Sequence, residues 1–435
     1  MPKTEFIKPS SEPQRSKESL VSPFYLTPEK LESRDAQIQE FLTRAVDQVY
    51  PSAELLEKEL KSGRRLTAYL GIDPTAPDMH IGHESQLHKL RRLQQLGHKT
   101  TLLIGDFTAR IGDPSDKSAT RQRLTHEQVL DNAKSYRMQA GKILDLDDPE
   151  NPVEVKFNSE WLDKLSFDEV VELAAEFTVQ QISQRDMFQK RFKDGKPVHL
   201  HEFLYPLMQG WDSVVMDVDI EIGGSDQIFN MLVGRDLMKN HRGKSKFVVA
   251  GSLLVDPNGK KMGKTEGNMI TLGDVPEDMF QKVMRWGDNI VPHALELCTD
   301  VPMDQVKQIE ASLKAGDMDP VEGKKFLART LVSTLHSQED AISAEATYEK
   351  ASKNLAPDTI AELRVASGSS IVDILVTSGF AQSKNGARRL IAQNGVRING
   401  ETITDPSYET TGGDLQVGKK TAESFRRIVI DDTTN

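Results

Sequence analysis

The sequence predicts an α/β fold with a parallel sheet, followed by a helical region and a small α+β unit. A strand, a loop, a helix and a second strand follow one another between Leu66 and Ile104. Such a βαβ unit implies a parallel sheet covered by helices. Apolar residues then recur at helical spacing over residues 276–352. The last stretch combines two short helices with a hairpin signal.

The composition limits the classes of protein to which the chain can belong. Its 435 residues are 37% hydrophobic and 28% charged, which is ordinary for a soluble protein of about three domains. The net charge of −11 argues against binding to nucleic acid through bulk charge alone. The single cysteine, Cys298, excludes a disulfide framework and a cysteine-based zinc site. With no apolar run of membrane-spanning length and no apolar leader segment, we expect a cytoplasmic protein.

The first elements lie in the N-terminal region of the chain. Residues 1–34 are polar and charged, and we expect a flexible arm. Residues 36–62 predict helix with a break at Pro51, because proline interrupts the helical hydrogen-bond pattern.

The βαβ unit comes next. Leu66–Leu70 predicts a strand that ends in a loop beginning at Gly71, and residues 81–96 predict a helix with leucines at helical spacing. Gly97 suits the end of this helix, because glycine readily adopts the left-handed conformation found there. Lys99–Ile104 predicts the second strand, followed by a loop.

Mixed helices and short strands are predicted for residues 151–250, including Val218–Ile222 and a buried strand over Phe247–Val255. A linker is predicted around residues 354–370. The C-terminal unit has predicted helices over 371–378 and 382–393, followed by Asn399-Gly400, which is typical of a tight hairpin turn.

The first motif is His80-Ile81-Gly82-His83, at the predicted start of the first helix of the βαβ unit. Its two histidines lie on one helix face, beside backbone N–H groups that have no partner within the helix. Gly82 lets a ligand approach the backbone closely. This arrangement suits a phosphate, although two ordinary surface histidines would have the same pattern.

The second motif is Lys261-Met262-Gly263-Lys264-Thr265, which indicates a cationic loop. It is not a phosphate-binding P-loop, because Asn258 stands where that pattern requires glycine. A solvated basic turn is the alternative interpretation.

The third motif, residues 223–227, has the sequence Gly-Gly-Ser-Asp-Gln and follows a predicted strand. Paired glycines allow close approach of a sugar or base, and Asp226 has the chemistry to accept hydrogen bonds from ribose hydroxyls. A tight structural turn is the alternative.

Together the three motifs are far more specific than any one of them. The first and second resemble the HIGH and KMSKS signatures of class I aminoacyl-tRNA synthetases, in the same order and about 180 residues apart. Further segments resemble tyrosyl-tRNA synthetases of the bacterial type, and this resemblance covers roughly residues 65–430. Those segments are residues 69–76 (YLGIDPTA), 111–115 (IGDPS), 205–212 (YPLMQGWD) and 223–230 (GGSDQIFN).

The resemblance implies a domain organisation. It comprises a Rossmann-like catalytic domain over 35–275, a helical domain near the anticodon over 276–353, a linker over 354–369 and an S4-like RNA-binding domain over 370–435. The arm over 1–34 is longer than in the shorter bacterial members.

The resemblance also implies a tyrosine pocket. Tyr69 and Asp212 are expected at the phenolic hydroxyl, which suits their chemistry: a carboxylate accepts hydrogen bonds and a tyrosine can donate or accept one. Phenylalanine would leave both groups unpaired, which is costly in a buried site. The full set of residues expected at tyrosine is Tyr69, Asp113, Tyr205, Gln209, Asp212 and Gln227.

The implied reaction is the attack of the tyrosine carboxylate on the α-phosphorus of ATP, followed by transfer of the tyrosyl group to the terminal adenosine of tRNA. The first step needs no strong base, so catalysis is expected from positioning and charge stabilisation. The residues expected in catalysis are His80, His83, Lys117, Arg121, Lys261, Lys264 and Thr265. Those expected at ATP are Gly71, Asp73, Gly82, Gly224, Asp226 and Lys264. Mg²⁺ is expected with ATP and without a dedicated protein site.

Contact with tRNA is expected from a basic face of the S4-like unit. This face consists of Lys384, Arg388, Arg389 and Arg397. An ordinary mixed surface is the alternative, because the unit from residue 366 onward has as many acidic as basic side chains. The resemblance further implies a homodimer.

Two rival functions stay open at this point. Tryptophanyl-tRNA synthetases share the expected fold, although Asp212 opposite Tyr69 suits a phenol better than an indole. A non-catalytic RNA-binding paralogue would use the S4-like unit alone, and the three intact motifs argue against it.

Overall fold

The computed structural model describes residues 33–114, 124–255, 269–352, 362–418 and 424–431. A six-stranded sheet forms the centre of the first region, flanked by eleven helices among the described residues. Its strands are β1 (Val46–Tyr50), β2 (Thr67–Ile72), β3 (Lys99–Ile104), β4 (Glu154–Phe157), β5 (Ile220–Gly224) and β6 (Phe247–Gly251). Its helices are α1 (Arg34–Thr43), α2 (Ala53–Lys61), α3 (Ile81–Gln95), α4 (Thr108–Ile111), α5 (His126–Ala140), α6 (Ser159–Leu162), α7 (Phe167–Ala175), α8 (Val179–Ser183), α9 (Asp186–Lys193), α10 (Leu200–Met216) and α11 (Ile228–Arg242).

The strand order is β1-β6-β5-β2-β3-β4, and every pair is parallel except β1 with β6. The chain runs outward from β2 to β3 and β4, and returns to form β5 and β6 on the other side of β2. The strand order therefore reverses between β2 and β5. Ligands of open α/β sheets bind at such a reversal, beyond the carboxyl ends of the strands. The predicted Rossmann-like α/β fold is confirmed.

The βαβ unit matches its prediction closely. Helix α3 buries Leu87, Leu90 and Leu93 completely, which explains why their spacing follows the helical repeat. Gly97 has a φ of +83°, in the left-handed region that glycine reaches without strain. The expected loop after β3 contains the short helix α4.

The predicted helix over 36–62 is wrong in its middle part. Strand β1 interrupts it between α1 and α2, and pairs in antiparallel fashion with β6 at the edge of the sheet. Val46, Val49 and Tyr50 are β-branched or aromatic residues that favour strands once a sheet edge is available. The buried strand predicted over 247–255 also ends early, because β6 stops at Gly251.

The helical region predicted over 276–352 is confirmed. It contains α12 (Pro276–Met284), α13 (Val291–Cys298), α14 (Met303–Ala315), α15 (Pro320–Leu335) and α16 (Gln338–Ser352). The buried side chains of these helices belong to the same apolar cluster as those of α1, α3 and the sheet. The helical region and the sheet therefore share one continuous core.

The C-terminal unit has its own sheet and its own apolar core. The sheet order is β7-β11-β10-β8-β9, and the elements are β7 (Glu362–Ala366), α17 (Ile371–Thr377), α18 (Lys384–Ala392), β8 (Val396–Ile398), β9 (Glu401–Thr402), β10 (Gly413–Val417) and β11 (Phe425–Asp431). The predicted hairpin is present, since Asn399 and Gly400 have φ angles of +52° and +86° between β8 and β9.

The start of the C-terminal unit differs from the expected boundary. Residues 362–366, expected to be linker, form β7 and pair in parallel with β11. Leu363 and Val365 alternate with charged residues over only five positions, and so short a pattern does not separate a strand from a linker.

Within the described residues, no helix is both long and apolar enough to cross a membrane.

Candidate active site

The predicted site residues cluster where the strand order reverses. Tyr69 lies in β2, Asp73 follows the end of that strand, and Gly224 ends the neighbouring β5. Helix α10 crosses this edge and contributes Tyr205, Gln209 and Asp212. Because β2 and β5 are parallel, their carboxyl ends meet at one edge.

Tyr69 and Asp212 lie together in the interior, as expected. Tyr69 is 1% exposed and Asp212 is 3% exposed. The Tyr69 hydroxyl lies 2.9 Å from Ser213 Oγ. Asp212 accepts a 2.8 Å hydrogen bond from Trp161 Nε1 and a 3.3 Å bond from Asn158 Nδ2. Trp161 and Asn158 orient this carboxylate, and sequence reasoning missed both of them.

Burial changes the acid–base properties of this pair. It raises the pKa of Asp212 to about 8, although the hydrogen bonds from Trp161 and Asn158 oppose this shift. Burial and the nearby Asp212 carboxylate raise the pKa of Tyr69 well above its ordinary value. Both groups are therefore desolvated, and burial disfavours the charged form of each.

Asp73 and Tyr205 are direct partners. The Tyr205 hydroxyl donates to Asp73 Oδ2 over 2.8 Å, and the Thr108 hydroxyl donates to Asp73 Oδ1 over 2.6 Å. Burial raises the pKa of Asp73 to about 7, against the effect of these two hydrogen bonds. A side chain at Gly105 would collide with Asp73, since its Cβ would lie 1.9 Å from Oδ1. Gly105 is therefore required for this arrangement, and it was not predicted.

Asp113 and Gln227 also meet. Gln227 Nε2 donates to Asp113 Oδ2 over 2.6 Å, and Asn230 Nδ2 donates to Gln227 Oε1 over 3.0 Å. Arg185, which is 6% exposed, lies 3.9 Å from Asp113 Oδ1. Arg185 was not predicted and adds a buried positive charge beside the acidic side of the site.

His80 and His83 lie at the N-terminus of α3, with their rings stacked at a centroid distance of 3.8 Å. His80 Nδ1 accepts from the Gly82 N–H, and His83 Nδ1 accepts from the His80 N–H, each over 3.1 Å. Both Nδ1 atoms act as acceptors, so a neutral ring must carry its proton on Nε2. The motif thus presents two Nε2–H donors next to the positive end of the helix dipole.

Two of the three expected ATP glycines are tightly surrounded. A Cβ at Gly82 would lie 2.9 Å from His80 Nδ1, and a Cβ at Gly224 would lie 2.6 Å from Asp226 Oδ1. Gly71 is exposed, and a Cβ there would meet only an ordinary contact at 3.8 Å. Packing therefore explains glycine at positions 82 and 224 but not at 71.

A buried network lies behind the pocket. Gln209 Nε2 donates to Glu221 Oε1 over 3.0 Å, and Glu221 forms an ion pair with Lys246. The side chains of Glu221 and Lys246 are 2% and 0% exposed. Sequence reasoning missed this pair, because a lysine just before a strand is typical of a solvated strand end.

The expected tRNA-binding side chains lie in and after α18. Lys384, Arg388 and Arg389 are exposed on this helix, and Arg397 is half-buried in β8. Lys384 pairs with Asp373 at 2.6 Å, so its charge is partly neutralised. The remaining expected residues, Lys117, Arg121, Lys261, Lys264 and Thr265, lie outside the described residues.

Comparison with known proteins agrees with this geometry. The family described as tRNA synthetases class I (W and Y) matches residues 61–353, and the S4 domain family matches residues 371–415. The chain belongs to this family of class I tRNA synthetases and carries an S4 domain after the catalytic part.

Individual relatives are named as tyrosine–tRNA ligases or tyrosyl-tRNA synthetases. Tyrosine–tRNA ligase 2 of Vibrio parahaemolyticus is 41% identical over 393 residues, which cover 89% of this chain and 97% of that protein. Tyrosine–tRNA ligase of Thermotoga maritima is 42% identical over 392 residues, covering 89% and 96%. The crystal structure of a C-terminally truncated mitochondrial tyrosyl-tRNA synthetase of Coccidioides posadasii has a TM-score of 0.59 and 25% identity, covering 72% of this chain and 91% of that one.

Proposed function

We propose that this protein is a tyrosine–tRNA ligase, which activates tyrosine with ATP and transfers the tyrosyl group to the 3′-terminal adenosine of tRNA(Tyr). The observation that carries this proposal is the buried pair of Tyr69 and Asp212 at the reversal of the sheet. The relatives named as tyrosine–tRNA ligases, at 41–42% identity over most of the chain, support the same substrate.

Tyrosine binds with its phenol toward Tyr69 and Asp212. These two groups provide one donor and one acceptor in a buried site, so a ring without a hydroxyl leaves both unpaired. The substrate ammonium meets a separate acidic and amide cluster nearer the strand ends. This cluster consists of Asp113, Tyr205, Gln209 and Gln227, and the contacts of Tyr205 with Asp73 and of Gln227 with Asp113 support it.

ATP binds along the start of α3 and the end of β5. The Nε2–H groups of His80 and His83 donate to phosphate oxygens at the positive end of the α3 dipole, and Gly82 lets the nucleotide approach the start of the helix closely. Asp226 and Gly224 accommodate the ribose, while Gly71 and Asp73 lie at the neighbouring strand end. Catalysis is positioning plus charge stabilisation, to which Lys117, Arg121, Lys261, Lys264 and Thr265 contribute cations and a hydroxyl. Mg²⁺ arrives bound to the ATP phosphates.

The S4 domain supplies the contact with tRNA. Exposed cations on α18, with Arg397 beside it, give a local positive surface on a chain that is acidic overall. The cytoplasmic location expected from the sequence stays a prediction.

A homodimer is supported by an apolar surface around α7 and α10. Phe167 and Leu200 are 84% and 80% exposed, and nearby lies a groove lined mainly by apolar side chains, among them Phe107, Leu165 and Val170. Exposed apolar surface of this kind is typical of a protein interface. Sedimentation of the wild type beside Phe167→Glu tests the dimer: we expect a twofold mass that falls in the variant, and a wild-type monomer would overturn it.

The test of the function is tyrosine-dependent exchange of labelled pyrophosphate into ATP, run in parallel with phenylalanine and tryptophan and without tRNA. Exchange with tyrosine alone is expected. Exchange with tryptophan would keep the fold and overturn the assignment of the pocket. Absence of exchange with all three, in folded protein with Mg²⁺, would favour a non-catalytic RNA-binding role.

A further inference from the structure

The region behind the phenol end of the pocket contains a buried ion pair with no assigned role. Lys246 contacts the Glu221 carboxylate, and its Nζ donates to Ser213 Oγ over 2.6 Å. Replacing such buried pairs by apolar residues is often neutral or stabilising, so stability is a weak explanation for this one.

The surrounding backbone is shaped to admit the lysine. Helices α10 and α11 cross at Gly210 and Gly234, where a Cβ on Gly234 would lie 2.5 Å from Lys246 Nζ. The same Cβ would lie 3.1 Å from the Gly210 Cα. Any side chain at position 234 would therefore displace the ammonium group from Ser213 and Glu221.

The hydrogen bonds connect the ion pair to two residues of the proposed pocket. Ser213 Oγ lies 2.9 Å from the Tyr69 hydroxyl, and Glu221 Oε1 accepts from Gln209 Nε2 over 3.0 Å. Ser213 thus connects the ion pair to Tyr69 at the phenol end of the pocket, and Glu221 contacts Gln209 directly. Each of these side chains except Gln209 is buried.

The direction of the hydrogen bonds follows from what each group can do. An ammonium group donates and cannot accept, so Ser213 Oγ must accept from Lys246. The proton of Ser213 then points either to the Tyr69 oxygen at 2.9 Å or to Glu221 Oε2 at 3.4 Å. The 2.9 Å contact can be made with either hydroxyl as the donor; in the arrangement in which Ser213 donates to Tyr69, this contact is kept and only the longer one to Glu221 is given up. The hydroxyl proton of Tyr69 is then directed away from Ser213, toward the pocket.

We propose that Lys246, Glu221 and Ser213 are positioning residues that hold Tyr69 as a hydrogen-bond donor to the phenolic oxygen of the substrate and hold Gln209 in place. The inference rests on the proposed function. The substrate hydroxyl accepts from Tyr69 and donates to Asp212, so both of its hydrogen-bonding roles are fixed before it binds. Discrimination against phenylalanine then depends on Ser213 and Lys246 as well as on the two residues that touch the substrate.

The first test is Ser213→Ala, assayed by pyrophosphate exchange with tyrosine and with phenylalanine. We expect kcat/KM for tyrosine to fall by about fivefold to tenfold, the scale of one hydrogen bond, with little change for phenylalanine. The KM for ATP should stay within about twofold. Ser213→Thr retains the hydroxyl and should restore most of the tyrosine preference.

The matched control is Thr299→Val, which removes another completely buried and hydrogen-bonded hydroxyl, at the end of α13 in the helical region. This variant should leave the ratio of kcat/KM for tyrosine to kcat/KM for phenylalanine unchanged. The second test is the double variant Lys246→Met with Glu221→Gln, which removes both buried charges together and keeps an amide oxygen for Gln209. In this double variant the ratio of kcat/KM for tyrosine to kcat/KM for phenylalanine should fall as in Ser213→Ala.

The outcomes distinguish a failure of the proposed function from a failure of this inference alone. A wild type without tyrosine-dependent exchange would overturn the proposed function and this inference with it. A wild type that exchanges, with an unchanged ratio in Ser213→Ala, would overturn the inference alone. Equal losses in Ser213→Ala and Thr299→Val, or a failure of Ser213→Thr to restore the preference, would show a merely structural role and would also overturn it.

Discussion

The catalytic region and the C-terminal unit place their polar groups in opposite settings. Around β2, β5 and α10, functional side chains are buried and bonded to one another, as with Asp212 between Trp161 and Asn158. In the C-terminal unit the core is apolar, and the cations of α18 project from its surface. Buried, hydrogen-bonded groups suit the recognition of a small substrate, whereas exposed cations suit the recognition of a polyanion.

This difference determines how each region should respond to change. A buried hydrogen-bonded group is costly to alter, because its partners lose their bonds and cannot turn to solvent. An exposed cation contributes a small, additive and salt-dependent amount. The following experiments test this contrast, beginning with the largest expected effect.

Asp212→Asn should give the largest loss. The amide cannot accept on both atoms from Trp161 and Asn158 while also accepting from the substrate phenol. We expect kcat/KM for tyrosine in pyrophosphate exchange to fall about 100-fold, the scale of a lost bond to a buried charged group. Asp147→Asn, whose side chain is 89% exposed, is the control and should have no effect. A loss below fivefold would contradict the assigned pocket.

Truncating the chain after residue 352 should separate the activity of the catalytic region from the contribution of the C-terminal unit. The catalytic core and the C-terminal core share no residue, so the shortened chain should keep its fold and its tyrosine-dependent exchange within about twofold. Charging of tRNA should fall by about tenfold or more, because the exposed cations are gone. Circular dichroism checks the fold. Full charging activity would refute a role of the S4 domain in tRNA binding.

The affinity for tyrosine should rise with pH. Burial raises the pKa of Asp212 from 3.8 to about 8, and the ionised form is the better acceptor for the phenol. We expect KM for tyrosine to fall several-fold between about pH 6.5 and 8.5, and Asp212→Asn should abolish the trend. A flat wild-type profile would contradict this assignment.

The same pKa shift bears on the stability of the ligand-free protein. The folded state retains the Asp212 proton to about pH 8, whereas the unfolded chain releases it near 3.8. The stabilising contribution of this group is therefore complete below about pH 3.8, is lost progressively as the pH rises from there, and is gone above about pH 8. Added tyrosine should raise the melting temperature more at pH 8.5 than at pH 6.5.

Single exposed arginines should have the smallest effect. Arg388→Gln or Arg389→Gln should raise KM for tRNA by about twofold to threefold at low salt and reduce the slope of affinity against salt by nearly one unit. Exchange without tRNA should not change. Lys134→Gln, an exposed cation on α5, is the control. An effect that persists in high salt would indicate a specific contact instead of the general charge contribution expected here.

Local signals made several elements predictable. The leucines of α3 face one core and Gly97 ends the helix, so spacing and one glycine determine that element. Asn399-Gly400 specifies its hairpin through the φ angles that these residues tolerate. Motifs at fixed spacing also predicted Tyr69, Asp212, His80 and His83 as site residues, because motifs are read along the chain.

What the sequence by itself determined is therefore local: element periodicity, the tight turns and the order of the motifs. The tertiary structure alone decided that residues 46–50 form an edge strand against β6, and that Trp161 supports Asp212 from 51 positions away. It also decided that Lys246 is buried against Glu221 and Ser213, opposite Gly234 of α11. These outcomes depend on which distant segments pack together. The residues next to a side chain in the sequence do not determine whether that side chain will be buried.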